Sequence, residues 1–88
     1  MKITFSDSFN KDIAKLKDKN LNKKIVEAIE AIEKADSLNE IHNLKKLIGY
    51  KYHYRIRVGD YRLGIYIIND QIEIVRLLHR KEIYRYFP

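Results

Sequence analysis

The residues in this sequence that could do chemistry are arginines, tyrosines and a few histidines, and they are bunched. All six arginines lie between Arg55 and Arg85, and all seven tyrosines lie from Tyr50 onward. Residues 1–42 carry eight lysines against eight acidic residues, whereas residues 43–88 carry ten basic against four acidic residues. The whole net charge of +6 therefore belongs to the second half. Arginine is a planar fork that matches a phosphate bidentately and stacks on rings. Interleaved with tyrosine it suits nucleic acid, whose phosphates need charge and whose bases need stacking faces. The competing reading of the same composition is a solvated basic surface without a partner.

Arginines and a tyrosine can cleave RNA. The ribose 2′-hydroxyl attacks the adjacent phosphorus and the 5′-oxygen leaves. The reaction needs a base for the hydroxyl, cations for the charged phosphorane and an acid for the leaving oxygen. Arginine supplies the charge stabilisation, often the largest catalytic contribution. Tyrosine or histidine handles protons. Other site chemistries find no support. The chain has no cysteine, and its three histidines are scattered, so no metal-ligand spacing exists and no metal or other cofactor is expected. There is no glycine-rich phosphate loop, and Ser6, Ser8 and Ser37 have no nucleophile context. His42 lies in a connecting segment and reads as a surface residue.

The elements that must position these groups follow from hydrophobic period. Eighty-eight residues, 45% of them hydrophobic, make a single domain over 1–88 with a modest core. Lys2 to Phe5 alternates and reads as a short strand. Ser6, Asp7 and Ser8 offer a helix cap, and Phe9, Ile13 and Leu16 recur at helical spacing. A break is expected over Asp18 to Asn20. Leu21, Ile25, Ala28, Ile29 and Ile32 then form the apolar stripe of a second helix. Residues 36–49 read as a connection anchored by Leu38, Ile41, Leu44 and Leu47. Three β-rich runs follow, Tyr50 to Val58, Tyr61 to Ile68 and Gln71 to Leu78, separated by the turn dipeptides Gly59-Asp60 and Asn69-Asp70. The expected fold is α+β: an N-terminal strand, a helical hairpin, a three-stranded antiparallel meander with the early strand at its edge, and a short tail.

In that arrangement His53, Arg55 and Arg57 share one face of the first meander strand, and Tyr52, Tyr54, Ile56 and Val58 share the other. If the apolar side packs on the helices, the arginines project from the open face. Arg62 begins the neighbouring strand, and Arg80 and Tyr84 follow the last one. Four guanidiniums can thus ring one concave surface, for which a polyanion is the natural counterpart. Alternatively each arginine pairs locally with Asp60, Glu73 or Glu82. His79, directly before Arg80, is the better placed histidine for proton transfer, and His53 the weaker.

The segment Tyr54-Arg55-Ile56-Arg57-Val58-Gly59-Asp60-Tyr61-Arg62-Leu63 resembles the RelE/ParE superfamily of toxins. The closing Leu78-His79-Arg80-Lys81-Glu82-Ile83-Tyr84 adds to the likeness, and its first four residues look especially like archaeal RelE proteins. The resemblance covers essentially the whole chain. It implies the toxin of a type II toxin–antitoxin pair, an endoribonuclease that enters the ribosomal A site and cuts mRNA there. By position, Arg55 and Arg57 stand where RelE has lysines, one of them acting in proton transfer. Arginine stays charged and is a poor base, so that role falls to His79. Arg62 matches the family's phosphate-contacting arginine, Arg80 the late arginine that stabilises the transition state, and Tyr84 the tyrosine that stacks on the nucleotide. Lys51, His53, Lys81 and Arg85 are expected along the RNA path. The implied partners are a RelB-like antitoxin, the ribosome and mRNA, with operator DNA for the toxin–antitoxin complex. A ParE-type toxin, which inhibits DNA gyrase and cuts no RNA, shares the fold. So would an inactive relative kept as a corepressor. No signal peptide or membrane span is legible, so a cytoplasmic protein is expected.

Overall fold

The computed structural model describes all 88 residues. Strand β1 (Lys2–Phe5) leads into helices α1 (Asp7–Lys15) and α2 (Lys19–Lys34). A single 3-10 turn over Leu38–Glu40 precedes strand β2 (Leu44–Lys46). Strands β3 (His53–Val58), β4 (Tyr61–Ile68) and β5 (Gln71–His79) follow, and a one-turn helix α3 (Ile83–Tyr86) closes the chain. The five strands form one sheet in the order β1-β5-β4-β3-β2. β1 joins β5 in parallel, and the other pairings are antiparallel.

Local chemistry explains the element ends. The Ser6 hydroxyl accepts the Phe9 N–H at 3.0 Å and donates to the Val75 carbonyl at 2.7 Å, so one side chain caps α1 and ties it to β5. Asp18 caps α2 by accepting from the N–H groups of Asn20 and Leu21. Asn69 and Asp70 both take positive φ, the pattern of a tight hairpin turn. On one face of the sheet Ile56, Leu63, Ile65, Ile72 and Ile74 pack against Phe9, Leu21, Ile25 and Ile32 of the helices. The other face carries a smaller apolar cluster of Leu47, Ile83 and Phe87, flanked by Val75 and Leu78.

The structure corrects three expectations. The sheet has five strands, because β2 lies inside the segment expected to be only a connection. Its three residues have no alternation to read; pairing with β3 makes them a strand. The helix break falls at Leu16–Asp18, since Asp18 is the cap and Lys19 and Asn20 already belong to α2. β3 begins at His53 rather than Tyr50.

One long-range contact joins the layers. The Asp12 carboxylate on α1 accepts from Arg76 Nε at 2.9 Å, from Arg76 Nη2 at 3.1 Å and from the Leu77 N–H at 2.9 Å. The Asp12 side chain is only 10% exposed. This hydrogen bond holds the Arg76 guanidinium above its usual pKa, against an opposing effect of burial. A raised value means the contribution is fully present at every pH below the ordinary arginine range. Asp12→Ala strands a guanidinium and a backbone N–H together, and should cost about 2–3 kcal/mol. Urea denaturation measures it; a loss below about 0.5 kcal/mol, the usual range of surface changes, would mean that water replaces the carboxylate.

Candidate active site

The β3–β4 hairpin builds the centre of the site. Arg57 pairs with Arg62 across it, and Arg55 pairs with Gly64, so these residues share the sheet face away from α1 and α2. The Arg62 Nη1 donates to the carbonyls of Gly59 and Tyr61, each at 3.0 Å, which folds its guanidinium back over the turn. The Arg80 N–H donates to the Asp60 carbonyl at 2.8 Å and so fixes the start of the tail against the same turn.

The electrostatics record the crowding. Arg62 sits below the usual arginine pKa, first through burial, then through the positive charges of Arg55 and Arg57, with Arg80 adding to them. Tyr84 acts in the opposite direction on the same group. Arg62 therefore feels three other guanidiniums and the Tyr84 hydroxyl. No carboxylate relieves them, because the one salt bridge of the chain is Arg76–Asp12. Local pairing with Asp60, Glu73 or Glu82 is thereby excluded. A cluster of guanidiniums without an acidic partner is chemically suited to an anion.

The tail places the tyrosine. Ile83 and Phe87 lie one helical turn apart and are buried with Leu47 on the arginine side of the sheet. The Phe87 ring lies over Gly64, where a Cβ would come within 2.7 to 2.9 Å of three ring carbons. This anchoring leaves Tyr84 outward, 64% exposed, with its hydroxyl accepting from Arg55 Nε at 3.3 Å.

Other expected residues stand elsewhere. His79 pairs with Tyr61, whose ring meets it edge-on at 5.4 Å, and Tyr61 packs on the helix-side core. His79 thus projects from the opposite face of the sheet to Arg62, and its Nδ1 already accepts the Lys81 N–H at 3.2 Å. The structure does not bring it to the arginines. His53 is on the arginine face, but half-buried among the rings of Tyr50, Tyr66 and Phe87, with an enclosed Nδ1 that has no partner. Lys51 lies over the Tyr52 ring, Arg85 over Tyr86, and Lys81 is exposed on the turn after β5.

Two positions escaped the sequence reading. Lys45 pairs directly with Arg55 across β2 and β3, which adds a fifth cation to the face. Only the pairing reveals it. Gly64 had a legible signal, since a glycine inside a β-rich run marks a close approach. No three His, Asp or Glu side chains converge anywhere in the fold, and no helix is long and apolar enough to cross a membrane.

Comparison with known proteins supplies context for this geometry. The sequence profile described as the ParE toxin of the type II toxin–antitoxin system parDE matches residues 3–84. Toxin RelE3 of Methanocaldococcus jannaschii is 44% identical over 89 residues, covering 100% of both chains. The crystal structure of a RelB–RelE antitoxin–toxin complex from Methanococcus jannaschii matches with a TM-score of 0.80 and 43% identity, over 96% of this chain and 98% of that one. An archaeal RelE–RelB complex from Pyrococcus horikoshii shares the fold with a TM-score of 0.73 at 23% identity, over 93% and 97% of the two chains.

Proposed function

The chain belongs to the RelE/ParE superfamily of type II toxin–antitoxin toxins and is RelE-like, and from that premise we propose that it is a ribosome-dependent mRNA endonuclease. One observation carries the reading: four guanidiniums converge without a carboxylate, and a tyrosine hydroxyl is bonded to one of them. A DNA gyrase inhibitor that cuts nothing has no need of that arrangement.

In the proposed reaction Arg62 and Arg80 hold the scissile phosphate. The 2′-hydroxyl oxygen forms a bond to phosphorus, and the bond from phosphorus to the 5′-oxygen breaks. The products are a 2′,3′-cyclic phosphate and a 5′-hydroxyl. Arg55 and Arg57 stabilise the extra negative charge of the phosphorane. Tyr84 stacks on the adjacent base, and its hydroxyl, steadied by Arg55, orients the attacking 2′-hydroxyl. His79 lies across the sheet and receives no step. The proton lost from the 2′-hydroxyl passes to water in the open cleft, and the leaving oxygen takes its proton from water, so rate enhancement rests on charge and position.

Restraint would come from an extended antitoxin with acidic and apolar helices, a proposal supported by the relative crystallised as a RelB–RelE complex. The same complex would be the form that binds operator DNA. The place of action is the cytoplasm, where ribosomes translate. The match to the ParE profile favours one other reading, a gyrase inhibitor. Primer extension on mRNA translated in the presence of the chain separates the two. Cuts at defined codon positions are expected; gyrase-dependent DNA breaks on intact RNA would establish the other reading.

A further inference from the structure

Beyond the arginine cluster a depression of about 330 Å³ opens beside Tyr84. Lys45, Ile48 and Tyr50 line it together with Tyr84, and Phe87 lies beneath. The surface there is unusual for a small protein. Ile48 is 92% exposed and Tyr50 47% exposed, so with Tyr84 three large apolar side chains stand in water around one hollow. Lys46 and the last residue, Pro88, complete its charged and terminal lining, and no aspartate or glutamate lines it. The hollow is continuous with the site, because Tyr84 belongs to both and its hydroxyl meets Arg55, while Lys45 pairs with Arg55 on the next strand. The Tyr50 ring is steadied edge-on by His53 at 5.2 Å.

We infer that this hollow is a second nucleotide subsite, taking the unpaired base next to the one stacked on Tyr84, with Lys45 on the linking phosphate. The inference rests on the ribonuclease reading and adds a place for the neighbouring nucleotide. Its chemistry combines two exposed rings and an exposed aliphatic side chain with two lysines and no aspartate or glutamate. A single-stranded nucleotide matches both halves, since every base has a flat π face and carries a phosphate beside it. Paired RNA does not match, because its base faces are buried in the stack.

The test titrates the full chain against ribosomes programmed with two messages, one intact and one lacking the base next to the one on Tyr84. Single-turnover cleavage reports both the rate and the half-saturating concentration. On the intact message Tyr50→Ala should raise the half-saturating concentration on the order of ten- to a hundredfold, the usual range for a lost stacking ring. Tyr50→Phe, which keeps the ring, should recover most of the affinity that Tyr50→Ala loses. Ile48→Ser changes a side chain that packs on almost nothing, so it tests the subsite without a folding risk; a several-fold rise is expected. On the abasic message all of these variants should converge with wild type. If wild type cuts both messages at the same concentrations, or Tyr50→Ala and Ile48→Ser match wild type on the intact one, the subsite is overturned and the ribonuclease reading stands. If those variants lose affinity only for a co-expressed antitoxin, the hollow is a peptide site and the inference is likewise overturned. If wild type cuts no message at all, both readings fall together.

Discussion

Arg62→Ala and Arg80→Ala should each slow single-turnover cleavage on programmed ribosomes by about a hundred- to a thousandfold, the usual cost of one transition-state donor. Binding should change far less, because the other basic residues of this face still meet the RNA backbone. The prediction is clean because neither residue supports the fold. The Arg80 side chain is exposed, and Arg62 makes two hydrogen bonds, both to carbonyls of its own turn. The sign of the Arg62 shift points the same way. A lowered folded-state pKa means the folded chain holds the charge less well than the unfolded chain does. Arg62 therefore works against folding at every pH at which it is charged, which includes the whole neutral range. Both variants should stay within about 1 kcal/mol of wild-type stability, as surface changes do. Arg62→Lys keeps the charge but loses the fork, and should recover part of the rate. If folded Arg62→Ala and Arg80→Ala both cut at the wild-type rate, the assignment of the site is wrong.

The arginine cluster was legible because a meander leaves few choices. Two turn dipeptides and three β-rich runs force β3, β4 and the end of β5 together, and alternation then sorts Arg55, Arg57 and Arg62 onto one face. Parity also explains the miss at His79. Adjacency to Arg80 suggested a shared location, but β5 continues through His79, and a residue still inside the strand takes the face opposite Leu78 and Arg62. Lys45 was hidden for a different reason. A three-residue edge strand has no period of its own and exists through its partner, so its face is unknowable before the pairing is. The Asp12–Arg76 bridge spans 64 residues and follows from no local pattern. What reads from sequence is what local period and turns dictate; what does not read depends on a partner far along the chain.

Gly64 tests whether the tail is part of the catalytic machinery or merely attached to it. Its missing side chain is filled by the Phe87 ring, which is 3% exposed and wedged with Leu47 and Ile83. In Gly64→Ala the new methyl would sit under 3 Å from ring carbons next to the side-chain root, so rotation about the last bond cannot clear it. The ring must lift, and α3 with it. Overpacking of this kind costs about 1–3 kcal/mol. The larger core on the opposite face has no contact with the change, so the domain should still fold. Function should suffer more than stability. Tyr84 lies between Ile83 and Phe87, so once they lift, its hydroxyl leaves Arg55 and its ring leaves the cleft. Gly64→Ala should therefore lose activity as Tyr84→Ala does, on the order of ten- to a hundredfold if a stacking ring is what goes. Chymotrypsin supplies a direct readout, since a lifted tail exposes the bonds after Tyr84 and Tyr86 to cutting. A double-mutant cycle then identifies the cause. In a Phe87→Ala background the methyl has nothing to strike, so adding Gly64→Ala should change neither stability nor rate further. A Gly64→Ala protein whose tail resists chymotrypsin as wild type does, and which cuts mRNA at the wild-type rate, would show that α3 docks independently of this glycine.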